Sequence, residues 1–175
     1  MHINFEFKAR CKETESLEKI LKEHLPEYIG QDQQTDTYFN VPYGRMKLRE
    51  GNIENSLIHY VRNNTAEAKQ SDVILYQHHH ALALKEILIR ALGIKVVINK
   101  LRKIYFINNV KFHFDMVENL GTFVEVEAID KDGSIGLQKL KEQCTFYAKL
   151  FSIEKEDYLA ESYSDLLLAK KSSTN

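Results

Sequence analysis

The first ten residues of this chain alternate strictly. Ile3, Phe5, Phe7 and Ala9 interleave with Asn4, Glu6, Lys8 and Arg10, and a period of two is the pattern that a β-strand resolves into one apolar and one polar face. The same device recurs along the sequence. Arg45, Lys47 and Arg49 share a face of a strand read over 44–50, Tyr60 and Arg62 one over 56–63, and Lys100 and Arg102 one over 95–108. Lys111, His113 and Asp115 align over 109–117, and Glu125 and Glu127 stand opposite Val124 and Val126 over 122–129. A sheet with one solvated face accounts for alternation alone. The sorting of signs points further, because Lys and Arg dominate three strands and carboxylates another. If helices cover the apolar face and the sheet curls shut, the charged faces line an interior tunnel.

The remaining segments fit that picture. Thr14 opens a helical stretch as an N-cap candidate, with Leu17, Ile20, Leu21 and Leu25 at helical spacing before Pro26. A Gln/Asp-rich stretch over 31–36 reads as a loop. Strands over 36–41 and 44–50 are joined by the turn signal Val41-Pro42-Tyr43-Gly44, and a further strand falls at 72–78. Leu82 to Leu92 is helical, with Leu84, Ile87, Leu88 and Leu92 on one side and Gly93 as a stop. Asn108-Asn109 marks a turn, and helices are expected over 134–151 and 162–169. About eight strands, mostly adjacent in sequence, give an antiparallel α+β fold, read as one domain over 1–175.

Composition narrows the function. Lys plus Arg (24) nearly equal Asp plus Glu (25), so net charge does not point to nucleic acid or membrane. Charges interrupt the N-terminal stretch, no apolar run approaches a membrane span, and a cytoplasmic location is expected. Cys11 and Cys144 lack metal-ligand spacing and read as structural thiols of a reducing compartment. A tunnel of sorted charge suits a triphosphate. Lys and Arg from several strands would hold the anion, with bidentate geometry from Arg. Glu6, Glu125 and Glu127 would hold Mg²⁺, a hard cation with oxygen ligands.

With these residues in view, the chain resembles the CYTH superfamily, the triphosphate tunnel metalloenzymes. Asn4-Phe-Glu6-Phe-Lys8 resembles its ExExK signature. Gln34 to Asn40 followed by Gly44 to Glu50 resembles its second and third strands, Lys100 to Tyr105 its basic strand, and Asp115 to Glu127 its late acidic hairpin. Leu137 to Phe146 and Tyr163 to Leu167 are similar to its closing helices. The resemblance implies an eight-stranded antiparallel β-barrel with covering helices. It implies Glu6, Glu125 and Glu127 as ligands of Mg²⁺ or Mn²⁺, and Lys8, Arg49, Arg62, Lys100 and Arg102 as triphosphate ligands. Arg45 and Lys47 join these by alternation. Lys8 and Asp115 are the catalytic candidates, Asp115 by positioning metal or water. The chain is most similar to members of the class IV adenylyl cyclase type, which implies conversion of ATP to cyclic AMP and pyrophosphate. A triphosphatase acting on thiamine triphosphate or tripolyphosphate and a binding module without turnover are the alternatives. A homodimer is also implied. One departure stands out: the first Glu of ExExK is Asn4, which keeps an oxygen ligand but loses the charge.

Other residues read more plainly. His78-His79-His80 reads as a surface loop rather than a metal site, and His113 as a histidine facing the tunnel. Tyr38 and Phe39 suit core packing as well as stacking on a base, and Lys69 suits a solvated loop.

Overall fold

The computed structural model describes residues 2–62, 69–79 and 82–173. Eight strands, β1 (His2–Arg10), β2 (Glu27–Phe39), β3 (Arg45–Glu50), β4 (Ser56–Arg62), β5 (Lys69–Gln77), β6 (Ile94–Ile107), β7 (Val110–Val117) and β8 (Gly121–Asp130), form a closed barrel in the order β1-β5-β4-β3-β2-β6-β7-β8. Every neighbouring pair is antiparallel. The helices are α1 (Thr14–Lys22), α2 (Leu82–Leu92), α3 (Leu137–Leu150) and α4 (Tyr163–Ser172). None is long and apolar enough to cross a membrane.

The expected loop over 31–36 is instead the middle of β2, a 13-residue strand. Asp32, Gln34 and Asp36 are buried while Gln31 and Gln33 are exposed, so the period of two is present but polar on both faces. That pattern reads as a loop only if strand interiors are assumed apolar. Here the inner face points into a charged barrel. The expected turns hold: Asn108 between β6 and β7 has φ +53° and Gly93 after α2 has φ +68°, both left-handed conformations that stop a regular element. At α1 the cap position falls on Glu13, and Thr14 is the first helical residue.

The larger hydrophobic core lies outside the barrel. Phe5, Phe7 and Ala9 of β1, Phe112 and Phe114 of β7, and Val124, Val126 and Ala128 of β8 pack against Leu21 of α1 and Leu140, Cys144, Tyr147 and Phe151 of α3 and its end. The alternation that predicts two faces thus aims the apolar one outward, under two helices. Burying each such aromatic or aliphatic side chain contributes about 1.5–3 kcal/mol. The cover is partial. No residue of α2 is buried, and Ile74 and Tyr76 on the outer face of β5 remain 60% and 64% exposed.

A second apolar cluster lies inside the barrel at one end. Tyr163 and Leu167 of α4, with Leu159 before it, pack against the inward-facing Tyr38, Tyr60, Val73, Val96, Ile98, Val117 and Phe123. A capping box between Ser162 and Asp165 starts α4, and Arg45 of β3 donates to Asp165 at 2.9 Å. Helix α4 therefore stoppers the barrel at that end. Cys11 and Cys144 are both free thiols.

α1 is pinned by charge as well as by packing. Glu18 is buried and accepts from Lys103 at 2.6 Å, Tyr105 at 2.5 Å and Lys22 at 2.9 Å. Burial alone would raise its carboxyl, but the hydrogen bonds from Lys103, Lys22 and Tyr105 outweigh it and hold it at about 2. A carboxyl depressed on folding stabilises above its unfolded value near 4.3 and loses that contribution as pH falls towards the folded value. Glu18→Gln is expected to cost about 2 kcal/mol at pH 7. Denaturant titrations at stepwise lower pH should show the gap between wild type and variant narrowing below about pH 4.3.

Candidate functional site

The barrel encloses a cavity of about 810 Å³ lined by the inward faces of the strands. On one wall Asp36 of β2, 1% exposed, gathers three cations. Arg49 donates to it through Nε at 2.8 Å and Nη2 at 3.1 Å, Lys47 at 3.0 Å and Lys100 at 2.7 Å. Asp36 lies directly across from Arg49 in the β2–β3 ladder, so strand register creates the fork. Burial opposes the charged form of Asp36, but Arg49, Lys100 and Lys47 outweigh it and keep the carboxyl well below its ordinary range. Burial and the neighbouring Arg102 push the Lys100 ammonium the other way, well below the usual lysine range. Its proton is therefore more loosely held than in an ordinary lysine.

A second node is built in the same way. Arg102 of β6 lies across from Asp115 of β7 and donates to it at 2.7 and 2.6 Å, and to Glu125 at 2.9 Å. Tyr163 of α4 donates to Asp115 at 2.8 Å. Both oxygens of Asp115 are thereby engaged, and Asp115 stands with Arg102 and Tyr163 rather than with the acidic cluster. Glu125 also accepts from Lys8, directly across the β1–β8 ladder, at 2.8 Å. His113, as expected, faces inward and lies 3.0 Å from Glu125 through Nδ1. Burial, Arg102 and Lys111 push the His113 imidazole down to about 3, so it is neutral near pH 7 and Nδ1–H donates to the carboxylate.

Glu6, Glu125 and Glu127 come together as the sequence pattern requires, with one ligand oxygen from each lying within 4.8 Å of the others. Glu6 and Glu127 are direct cross-strand partners, a like-charge pairing that is unfavourable without a counter-ion. Burial, Glu125 and Glu6 accordingly push the Glu127 carboxyl up to about 7. A compact set of hard oxygen donors under mutual repulsion fits a hard divalent cation. Lys47, Arg49, Lys100, Arg102, Lys8 and Lys111 are meanwhile each paired to a carboxylate. An anion entering this balanced cavity gains most if a divalent cation accompanies it.

Two placements differ from a simple cationic lining. Arg45 turns to Asp165 of α4 at the stoppered end and is not part of the cavity wall. Arg62 and Lys69 end β4 and begin β5, and their side chains lie outside the described residues, as does His80. His78 and His79 border the cavity.

A CYTH-domain profile matches residues 2–163. The chain belongs to the CYTH domain family. The CYTH barrel also aligns with solved structures of low identity. A conserved hypothetical protein from Pyrococcus furiosus matches with TM-score 0.78 at 24% identity over 93% of this chain and 99% of that one. A proposed adenylate cyclase from Vibrio parahaemolyticus matches with TM-score 0.73 at 19% identity over 94% and 97%. A proposed adenylyl cyclase from Hippeastrum, described by its dominant triphosphatase activity, matches with TM-score 0.60 at 14% identity over 98% and 96%. A search of curated proteins gives no match.

Sequence reasoning missed the carboxylates that hold this CYTH cavity together. Asp36 stood where the expected loop over 31–36 meets the expected strand over 36–41, although Asp32, Gln34, Asp36 and Tyr38 carry the alternation. Glu54, in the β3–β4 connection, reaches Arg49 and Gln34 at 2.9 and 3.0 Å and also Lys111. Asp32 fixes that connection by accepting from the backbone N–H groups of Ile53 and Glu54, both at 2.9 Å. Gly51 makes this possible, since a Cβ there would sit 2.6 Å from an Asp32 oxygen.

Asp36→Asn removes the shared counter-charge of three cations, of which Arg49 and Lys100 are buried. It is expected to destabilise the ligand-free protein by about 3 kcal/mol. In thermal melts, tripolyphosphate should raise the midpoint of the variant more than that of wild type, because the anion replaces the missing charge.

Proposed function

We propose that this protein is a metal-dependent phosphoryl-transfer enzyme acting on a triphosphate, and that its leading reaction converts ATP to cyclic AMP and pyrophosphate. One observation carries the reading. A wall of Lys47, Arg49, Lys100 and Arg102 meets the Glu6, Glu125 and Glu127 cluster within a single cavity, the two halves that a metal–triphosphate complex requires.

In this reading Arg49 and Arg102 exchange part of their carboxylate bonding for phosphate oxygens and keep the fork geometry that Asp36 and Asp115 impose. Lys47, Lys8 and Arg62 add charge around the β- and γ-phosphates. Glu6, Glu125 and Glu127 hold Mg²⁺ or Mn²⁺, which when bound neutralises charge on the phosphate oxygens. The ribose 3′-hydroxyl oxygen attacks the α-phosphorus and gives up its proton to water, the bond from that phosphorus to the bridging oxygen breaks, and pyrophosphate leaves. Lys100, which donates to Asp36 at 2.7 Å and lines the cavity, adds positive charge beside the departing oxygen. Asp115 positions Arg102, and Lys8 is held between Glu125 and the Tyr163 ring, 4.2 Å from its centroid. A cytoplasmic homodimer is the setting this reading assumes. Hydrolysis of a triphosphate is the second reading, favoured by the dominant triphosphatase activity of the Hippeastrum protein on the same barrel.

The test is turnover of ATP, thiamine triphosphate and tripolyphosphate with Mg²⁺ or Mn²⁺, followed by phosphorus NMR. Cyclic AMP with pyrophosphate supports the leading reaction, and orthophosphate supports the second. Arg49→Ala, Arg102→Ala and Glu127→Ala are each expected to lower kcat/KM by about 10²-fold or more, the scale for loss of a preorganised charge contact. Metal-dependent binding without turnover would leave a binding module in place of an enzyme.

A further inference from the structure

The cavity is not charged all round. Beside the cationic wall, β4 and β5 turn Ile58, Tyr60, Val73 and Leu75 towards the cavity, with Ile58 directly across from Lys47 in the β3–β4 ladder. A pure polyphosphate has no use for such a surface, because each anionic oxygen placed on it loses hydration without a partner.

Two polar groups edge this apolar wall. Asn4 of β1 and Ser71 of β5 are direct cross-strand partners and both line the cavity. Asn4 is 6% exposed and Ser71 1%. The Oδ1 of Asn4 and the Oγ of Ser71 are buried and have no hydrogen-bond partner. Buried polar atoms are nearly always paired, and leaving one unpaired is costly. Two of them side by side on one wall of a ligand-sized cavity form an unsatisfied recognition edge. Asn4 supplies a free acceptor, and the Ser71 hydroxyl can donate or accept. The position where the family signature has a carboxylate therefore presents a neutral amide here.

We propose that Asn4 and Ser71 form a specificity site for the uncharged organic end of the ligand. This inference rests on the triphosphate reading above. The ligand is an organic triphosphate whose flat, neutral, heterocyclic group lies along Ile58, Tyr60, Val73 and Leu75. An N–H donor of that group meets Asn4 Oδ1, and Ser71 completes the edge. Inorganic tripolyphosphate, although more highly charged, fills only the cationic half.

Calorimetric titration of the full chain in Mg²⁺ with ATP and with tripolyphosphate tests this. Wild type is expected to bind ATP at least about tenfold more tightly than tripolyphosphate. A cradle that reads charge alone would rank them the other way. Asn4→Ala and Ser71→Ala are each expected to weaken ATP about three- to tenfold, the scale of one neutral hydrogen bond, and to shift tripolyphosphate by less than about twofold. Neither variant should lower the thermal midpoint of the ligand-free protein, since each deletes an unsatisfied group. Equal or tighter binding of tripolyphosphate by wild type, or unchanged ATP affinity in both variants, overturns the inference while leaving the triphosphate reading intact. Equal weakening of both ligands in Asn4→Ala, with altered Mg²⁺ dependence, would make Asn4 a metal ligand and also overturn it. Binding of neither ligand by wild type overturns the triphosphate reading and this inference with it.

Discussion

A single buried carboxylate, Asp36, makes the charged interior possible. Lys47, Arg49 and Lys100 come from β3 and β6, the strands on either side of it, and without a shared counter-charge they would repel one another in a poorly solvated space. The hydrogen bonds that neutralise them also fix their direction. Arg49 keeps its direction because Nε and Nη2 engage Asp36 and Nη1 engages Glu54. The same logic repeats at Asp115, which holds Arg102 from β7 and is itself held by Tyr163 of α4. The protein thus pays for preorganisation with carboxylates that any anionic ligand must partly displace.

That arrangement turns the usual order of a small domain inside out. The apolar residues that would fill a conventional interior are on the outer faces of β1, β7 and β8, under α1 and α3. Among the described residues, the apolar side chains that face inward gather at the end stoppered by α4 and along β4 and β5. Period-two alternation made the outer core legible from Ile3, Phe5 and Phe7, and from Val124 and Val126, because the physics of a two-faced strand does not depend on which side is inside. It failed at β2. There the outward face is also polar, so Gln31 to Asp36 show no change of hydropathy along the strand, and only tertiary closure reveals that Asp32, Gln34 and Asp36 are buried.

The acidic cluster was legible for the same reason that β1 and β8 were. Glu6, Glu125 and Glu127 sit on strand faces, and ladder register brings them together. The partners that immobilise the cations were less accessible. Glu54 comes from a connection with no periodicity, and its place depends on Asp32 and on the missing side chain of Gly51. Tyr163 comes from a helix far along the chain, and nothing local to it signals a hydrogen bond to Asp115. Asp115 itself was visible, but pattern alone could not distinguish a carboxylate facing a metal from one clamped by Arg102.

The helical stopper has a kinetic consequence. With Tyr163 and Leu167 filling one end of the barrel, a ligand of the proposed function would have to enter and leave away from that end, along a shared path. Entry and departure become mutually exclusive events. Under the proposed function, a spent anion on Arg49 and Arg102 would keep the next molecule waiting, and throughput would be governed by how readily Asp36, Glu54 and Asp115 reclaim their cations.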